Sequence, residues 1–448
     1  MSDLLGIGAS GVRAYQSALT TVSENIANAA TPGYAKRTAD LREVAAAVGV
    51  TAGGRVQTGQ GVTVAGVTRS ADALRAADVR TSSADLARSE TGIAWLDRIE
   101  TALTGNQLGD RLTGFFNAAK SVAADPSATV PRTALLEQAS AVAGSFTATG
   151  KALDGLDANL DATAGSAVTT LNSLGAALAK VNDGLGRAQP GSNGAAQLAD
   201  QRDAILDQIS AISDVSVSTD GIGRATVKLG NAGGPDFVTG NTSGEVTFTR
   251  GSDGTVAFAL QTPAGVATVT PGGGALAGVI DGAARIADAR VTLETIATAF
   301  TNGVNAVQAG GRDLDGNPGA ALFTTGTSPT DLTLTLTDPR GIAAAAVGGG
   351  PRDNSNLKNL DTLRSSGAFE AKTTALISGN AATLNGRKQI AEAQSAIRDN
   401  AVAARDAVSG VNLDSEAVDL LRFQQAYSAS SRVIQVARDT LQSILDIR

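Results

Sequence analysis

The chain contains 448 residues, of which 42% are hydrophobic but only 3% aromatic, and its formal net charge is −7. It has no His and no Cys, so it lacks the commonest general base and metal ligand, and thiolate catalysis, Cys zinc sites and disulfides are excluded. With a negative net charge and no long basic run, it is not expected to bind nucleic acid. The Ala-rich, aromatic-poor composition favours long, closely packed helices.

The first residues, MSDLLGIGAS, do not resemble a secretory signal peptide, because an acid stands where a basic region is expected and no apolar core follows. No apolar run approaches the roughly 20 residues that a membrane span requires. We therefore expect a protein that stays in the cytosol or leaves by a route that reads no cleaved signal.

A heptad pattern begins close to the N-terminus. Apolar or small residues recur at alternating steps of three and four, at Leu5, Gly8, Val12, Tyr15, Leu19, Val22, Ile26 and Ala29. This spacing predicts a helix over residues 4–29 that packs on a partner helix. The segment ATPGYAKR then ends the pattern: Pro32 disfavours helix at Thr31, and Pro32–Gly33 suits the centre of a type II turn.

The last part of the chain shows the same pattern, at Leu420, Phe423, Tyr427, Ser430, Ile434, Ala437, Leu441 and Ile444. Asn412 or Asp414 can cap the first turn of this helix, and Glu416 adds negative charge near its positive end. Two ordinary amphipathic helices on one globular core would give similar patterns. Because both patterns lie at chain ends, we favour a pair of terminal helices with the rest of the chain inserted between them.

In the middle of the chain, the spacing of the apolar residues changes from helical to strand-like and back again. Residues 72–212 carry mostly helical signals, whereas residues 213–273 alternate with period two between Gly- and Asp-rich turns. Within that segment, GSDG between EVTFTR and TVAFAL predicts a hairpin. Helix resumes after residue 274, a strand is expected at residues 331–337, and residues 353–411 return to helix.

The predicted fold class is therefore mainly α with a β insert. It comprises paired terminal coiled-coil helices, an elongated helical bundle and a small outer β domain. The predicted division is residues 1–34 plus 412–448 for the terminal helices, 35–212 plus 274–411 for the helical shaft, and 213–273 for the β insert.

Three stretches resemble known ligand-binding motifs, but none of them is a good match in its residues, spacing or surroundings. GSFTATGKA (144–152) has the wrong glycine spacing for a phosphate loop and lies in a helical run. GGGALA (272–277) fits a loose dinucleotide pattern, but a flexible strand-to-helix connection explains it better. DLDGNPG (313–319) lacks the sixth-position Gly and the final Glu of a calcium loop, and is better explained as a solvated turn.

Acid pairs such as Asp200 and Asp203 occur on helix faces, but no pattern in the sequence gathers them with a nucleophile or a basic partner. We interpret them as solvated surface. We find no catalytic constellation and predict a protein that is not an enzyme and has no cofactor or metal site.

The residues at both ends resemble those of the bacterial flagellar axial family of rod, hook and hook-associated proteins. SENIANAATPGYAKR is similar to its N-terminal signature at Asn25, Ile26, Ala27, Asn28, Thr31, Pro32, Gly33 and Tyr34. GVNLDSEAVDLLRFQQAYSASSRVIQVARDTL is similar to its C-terminal end. Three interior stretches favour the hook-associated members that join hook to filament: GQGVTVAGVTRSADALRAADVR, LTGFFNAAKSVAADPSATVPRTALLEQASAVAGSF and LADQRDAILDQIS. Another axial protein, of the hook or distal rod, is the alternative.

This resemblance implies a structural role in the flagellum. The terminal helices would line the axial channel, and Asn28 and Tyr34 would make packing or intersubunit contacts. Export would use the flagellar type III system, with a chaperone on the C-terminal region. The implied partners are other copies of the chain, the hook protein and hook-associated protein 3.

We predict that the N-terminal helix is weakly ordered in the free monomer. Gly6, Gly8 and Gly11 each cost roughly 1 kcal/mol relative to Ala in a helix interior, and isolated helices depend on packing for stability. Amide exchange on the monomer should therefore show little protection across residues 4–26. Strong protection there would contradict the prediction.

Overall fold

The computed structural model describes residues 2–44 and 60–446, and it is mainly helical. The long helices are α1 (Ser2–Ala27), α2 (Ala73–Thr104), α3 (Leu108–Ala124), α4 (Thr129–Arg187), α5 (Asn193–Ile212), α6 (Gly274–Gly310), α7 (Lys358–Gly367), α8 (Phe369–Ser409) and α9 (Leu413–Asp446). Among the helices of the described residues, none combines the length and hydrophobicity that a membrane span requires.

Within residues 2–44 and 60–446, the strands form four small antiparallel sheets. They are β1 (Arg37–Glu43), β2 (Val62–Arg69), β3 (Val215–Thr219), β4 (Ala225–Leu229), β5 (Asp236–Thr239), β6 (Thr242–Ser243), β7 (Glu245–Arg250), β8 (Val256–Thr262), β9 (Gly265–Val269), β10 (Phe323–Thr325) and β11 (Leu332–Leu334). The predicted mainly α fold with a β insert is confirmed, since seven of these strands lie between α5 and α6.

The terminal helices pair antiparallel. Gly8 of α1 lies against Ile434 of α9, and the Tyr15 ring lies 6.4 Å from the Phe423 ring. Helix α1 spans Ser2–Ala27, two residues earlier at each end than predicted. Asn412 caps α9, because its side-chain oxygen accepts hydrogen bonds from the backbone N–H groups of Asp414 and Ser415.

Strands β1 and β2 form a hairpin that the sequence analysis did not predict and included in the helical shaft. The pairing has an irregularity between Asp40 and Leu41. The hairpin packs on α1, where the Ser10 hydroxyl accepts a hydrogen bond from the backbone N–H of Val62. Its first strand contains a single large apolar residue, Leu41, so period-two patterning is weak there. Residues 45–59 of the predicted shaft lie outside the described residues.

Six of the ten phenylalanines gather in one cluster of the helical shaft. Phe300 of α6 lies at its centre, with ring centroids 5.3 Å from Phe115 and 5.5 Å from Phe369. Phe116, Phe146 and Phe323 complete the cluster. These edge and tilted contacts concentrate the few aromatic side chains where α3, α4, α6 and α8 meet.

The β insert forms a four-stranded sheet, β3 to β6, and a three-stranded sheet, β7 to β9. The predicted GSDG hairpin is confirmed, since β7 and β8 pair antiparallel across it. Helix α4 holds both sheets: Asn182 exchanges hydrogen bonds with the backbone of Ala225, and Asn172 does so with Val246. Arg250 adds ion pairs to Asp157 and Asp161 of α4.

The three near-motifs take ordinary structural roles. Residues 144–152 lie inside α4, and α6 begins at Gly274, whose φ of +77° suits a strand-to-helix connection. The Asp313 side chain accepts hydrogen bonds from the backbone N–H groups of Asp315 and Asn317, which makes a local turn. The strand predicted at 331–337 is shorter, Leu332–Leu334, because it pairs only with the three residues of β10.

We predict that Gly175→Ala weakens the attachment of the β insert to α4. A Cβ at Gly175 would collide with the ring of Phe237, which is buried and cannot move aside. Overpacking of this kind costs about 1–3 kcal/mol, which urea unfolding measures.

Gly155→Ala on the same helix is the matched control. Its Cβ would meet nothing within 4 Å, so the change should stabilise the protein by about 0.5–1 kcal/mol through helix propensity. Equal effects of the two variants would contradict the proposed contact.

Candidate assembly site

The α1–α9 pair brings together most of the residues predicted as its seam. Val22 is buried in this pair. The half-buried members are Leu5, Val12, Tyr15 and Leu19 on α1, and Leu420, Phe423, Tyr427 and Ile434 on α9. Ile26, Leu441 and Ile444 are exposed. The seam residues of one chain therefore do not fully bury each other.

The closest approach of the two helices uses small residues. A Cβ on Gly8 would lie 2.7 Å from Ile434 Cγ1, and one on Gly11 would lie 2.6 Å from the Ser430 hydroxyl. Ala14 and Ala18 are also buried on α1. Gly11, Ala14 and Ala18 each lie one residue before a predicted seam residue, so the face of α1 that is buried against α9 is rotated slightly from the predicted one. Glycines and alanines on this face allow α9 to approach more closely than large side chains would.

The C-terminal end of α9 extends beyond this contact. Leu441 lies seven residues past Ile434, which is already opposite Gly8, so it lies beyond the N-terminal end of α1. Leu441 and Ile444 are 42% and 53% exposed. Among the described residues, this apolar helix end is left largely uncovered, and such a surface is available to another molecule.

The segment after α1 forms the predicted type II turn. The backbone N–H of Tyr34 donates to the carbonyl of Thr31 at 3.2 Å, and Gly33 has φ of +79°. Thr31, Pro32 and Gly33 are exposed, and Asn28 is half-buried with its amide donating to the Glu24 carbonyl. The turn reverses the chain so that the residues following it lie back against α1.

Asn25 is the centre of a buried polar cluster at this turn. Its amide nitrogen donates to the carbonyl of Arg37 (2.8 Å) and to the Glu416 carboxylate (2.9 Å). Its side-chain oxygen accepts from the Tyr34 hydroxyl (2.8 Å) and from the backbone N–H of Arg37 (3.0 Å). One amide side chain therefore joins α1, the turn, β1 and α9. Burial raises the pKa of Tyr34, which keeps its hydroxyl protonated as a donor.

Glu416 contributes the negative charge of the same cluster. It is only 1% exposed, and its carboxylate lies 2.7 Å from the Lys36 ammonium. The backbone of Lys36 donates to the carbonyl of Ser409 at the end of α8 and accepts from the N–H of Ser70 before α2. We call Asn25, Tyr34, Lys36 and Glu416 the Glu416 cluster. The burial of Glu416 was not predicted from the sequence, which indicates only a negative charge near the positive end of the helix.

Asp200, Asp203 and Asp207 form a second polar cluster on one face of α5. Their interpretation as solvated surface is wrong, because arginines from the hairpin, α2 and α8 surround them. The pairs are Asp200 with Arg37 (2.8 Å) and Arg69 (2.5 Å), Asp203 with Arg69 (2.7 Å), and Asp207 with Arg80 (2.9 Å) and Arg405 (3.2 Å). The spacing of three and four along α5 was the available signal. Arg202 is the neighbour of Asp203 in the chain and pairs with it, but the arginines from the hairpin, α2 and α8 lie more than 100 residues away.

Two opposing effects act on the pKa values of the Asp203 and Asp207 carboxyls: burial raises each pKa, and nearby arginines lower it. For Asp203, attraction to Arg202 and Arg69 outweighs burial, so the net pKa lies below its ordinary value. For Asp207, burial outweighs the attraction of Arg80, and the net pKa lies above its ordinary value. In the described part of the chain, no three His, Cys, Asp or Glu side chains come close enough together to hold a metal ion.

Comparison with known families identifies flagellar relatives. A family model described as the flagellar hook-associated protein FlgK helical domain matches residues 96–323, just over half of the chain. A model for the C-terminal region of flagellar basal body rod FlgEFG proteins matches residues 406–447, and one for flagella basal body rod proteins matches residues 5–34. The two end matches cover α1 and α9.

Individual relatives are also similar. Flagellar hook-associated protein 1 of Salmonella typhimurium is 28% identical over 355 residues, which cover 75% of this chain and 63% of that protein. The protein of the same name from Escherichia coli K12 is 25% identical, with 100% of both chains covered. The structure of the flagellar hook junction protein FlgK from Burkholderia pseudomallei aligns with a TM-score of 0.49 at 24% identity, over 56% of this chain and 47% of that one.

We predict that Glu416→Gln loosens the start of α9. The change removes the charge that pairs with Lys36 in a buried site and should cost about 2 kcal/mol, because hydrogen bonds to charged groups contribute most when buried. Amide exchange should become faster in the first turns of α9.

Asp414→Asn is the matched control, since Asp414 is an exposed acid in the same helical turn and does not cap the helix. Both variants lose one negative charge near the helix N-terminus. If Asp414→Asn accelerates exchange as much as Glu416→Gln, the Glu416 cluster does not hold the helix.

Proposed function

The chain belongs to the flagellar hook-associated protein FlgK family, and on that basis we propose that it is a structural adaptor at the hook–filament junction of the bacterial flagellum. Copies polymerise through the terminal helices. The aligned region spans 63% of the length of the Salmonella relative, so this role rests on the geometry of the chain as well as on the family.

The main observation that supports the proposal is the exposed apolar surface of α9. Eight large apolar side chains of this helix are exposed in the isolated chain: Leu413, Val418, Leu421, Val433, Val436, Leu441, Ile444 and Leu445. A soluble monomer rarely leaves so much apolar surface on one helix uncovered. Since α1 covers only one side of α9, the remaining sides are suited to neighbouring copies.

The contact between copies is heterologous, because the surface that α9 presents differs from the surface that receives it. Repeated heterologous contacts generate rings or helical tiers. We propose that the residues predicted as the seam, together with the turn at Asn28–Tyr34, form this inner assembly surface.

We propose three functional parts for the chain. Residues 1–34 plus 412–448 line the channel, residues 35–212 plus 274–411 form the helical shaft outside them, and residues 213–273 form an outer β domain. The hook protein and hook-associated protein 3 are the proposed neighbours. The flagellar type III system exports the chain, a chaperone holds its C-terminal region before export, and the mature protein is extracellular.

We predict that Ile434→Asp combined with Leu441→Asp abolishes junction assembly and leaves the shaft folded. The two charges lie on the seam of α9, where Ile434 packs on Gly8 of α1 and Leu441 is exposed to neighbouring copies. A charge would be costly to bury in either contact. A strain whose only copy carries both changes should retain bare hooks and secrete unpolymerised flagellin, while circular dichroism of the purified variant shows the helical content of the unchanged protein.

Leu74→Asp is the control, because Leu74 is an exposed apolar residue of the shaft and lies far along the chain from α9. This variant should assemble normal filaments. Normal filaments from the double variant would refute the role of the terminal helices.

A further inference from the structure

Strand β9 forms an edge of the three-stranded sheet in the β insert. Its partner in this sheet is β8, with Leu260 opposite Ala267. On one face of β9 Val269 is buried, and on the other face Val266 is 72% exposed. One long side of β9 is therefore turned away from the rest of its sheet.

The Asn172 side chain shows in which direction the backbone groups of these strands point. Its amide exchanges two hydrogen bonds with the backbone N–H and C=O of Val246 in β7, so these groups of Val246 point away from β8. Val246 lies opposite Leu260, and facing residues of an antiparallel pair point their backbone groups either at each other or both outward. The N–H and C=O of Leu260 therefore point to β9, where they meet Ala267.

Val266 and Thr268 precede and follow Ala267, and successive residues of a strand point their backbone groups to opposite sides. The N–H and C=O groups of both residues are therefore directed out of the sheet. In the part of the chain that the structure describes, the backbone hydrogen bonds outside the regular strand pairing do not reach these groups. They lie along a strand of five residues, which is about 17 Å long.

At β7 and β4, side chains of α4 cover the outward backbone groups. Asn172 binds the backbone of Val246, and Asn182 binds that of Ala225 in the same way. Such covers, like charged side chains and prolines, keep an edge from pairing with other strands. Strand β9 has the sequence GVATV, without a charged residue or a proline. Its outward groups therefore lack the protection that β7 and β4 have.

We propose that the edge of β9 binds a short extended segment of another protein, which adds to the sheet as a further strand. An extended segment presents its own N–H and C=O groups at the spacing of the groups on Val266 and Thr268. A stable interface between folded proteins needs about 800 Å² per partner, far more than one strand edge of this length offers. The occupant is therefore a linear segment. The inference does not depend on the proposed assembly role, which concerns the terminal helices.

The side chains along the edge define the chemistry of this segment. On the exposed face, Val266 lies opposite Gln261 of β8. Thr268 lies opposite Ala259 in the same way. None of these side chains is charged, so no ion pair would compensate a charged residue of the segment for its loss of water. Residues with β-branched side chains fit such a pleated surface. The segment is therefore uncharged and rich in Val, Ile or Thr.

The test is amide exchange of the full-length chain, followed by NMR. The probe is a capped peptide that alternates Thr and Val and carries a Lys tail for solubility. In the chain alone, the amides of Val266 and Thr268 should exchange rapidly, whereas that of Ala267 is protected by β8. Saturating peptide should slow exchange at Val266 and Thr268 at least tenfold and leave Ala267 unchanged. The same peptide with Glu in place of every Val is the control and should bind at least tenfold more weakly.

Thr268→Pro tests the backbone contact directly. The change removes one outward N–H, and proline is tolerated where the N–H of an edge strand faces solvent. The Kd for the Thr–Val peptide should rise at least tenfold. Thr268→Val is the matched control, because it keeps the N–H, and its Kd should stay within twofold. Protection of the Ala267 amide shows whether β9 of the proline variant still pairs with β8. If that protection is lost, an N-methylated form of the peptide tests the same hydrogen bonds on the unchanged chain.

Three results would overturn the inference. The first is unchanged exchange at Val266 and Thr268 when the Thr–Val peptide reaches about 1 mM, or equal binding of its N-methylated form. The second is slow exchange of both amides in the dilute chain alone, which would mean that the edge is already closed. The third is protection that increases with the concentration of the chain without peptide, because the occupant would then be a second copy.

Discussion

The buried carboxylate of Glu416 sets how the two ends of the chain meet. A charge removed from water is costly unless it is paired and hydrogen-bonded. The Lys36 ammonium and the Asn25 amide supply both partners, and they converge on the carboxylate from the end of the turn and from α1. Any shift of α9 along α1 would leave this charge buried without them. The polar cluster therefore fixes the register that an Ala- and Gly-rich contact alone would leave loosely defined.

The same turn connects the terminal helices to the shaft. Arg37 donates its backbone N–H to Asn25 and pairs its guanidinium with Asp200 of α5. The carboxylates of α5 then bind arginines of the hairpin, α2 and α8. Movement of α1 relative to the shaft would break several of these contacts together.

Periodicity predicted much of this fold. The heptad pattern identified α1 and α9, and the change to period two located the β insert, because helical and strand periods reflect only local geometry. The β1–β2 hairpin was not predicted, because β1 has only one large apolar residue, Leu41, and therefore shows no clear period-two pattern. The hairpin depends instead on its packing against α1. The burial of Asp200, Asp203 and Asp207 was not predicted for a related reason. Apart from Arg202, their arginines come from distant elements, and residue spacing does not reveal which distant charges meet.

The sequence by itself determined that both ends are helices with a heptad pattern, that Pro32 and Gly33 turn the chain, and that no His or Cys chemistry is available. Each of these follows from residue types and local spacing. Only the tertiary structure decided that the two terminal helices pair, that Glu416 is buried, that Gly11 is a close contact point, and that one side of α9 remains exposed. Burial and ion pairing depend on which distant segments pack together, and that information is present only once the whole chain has folded.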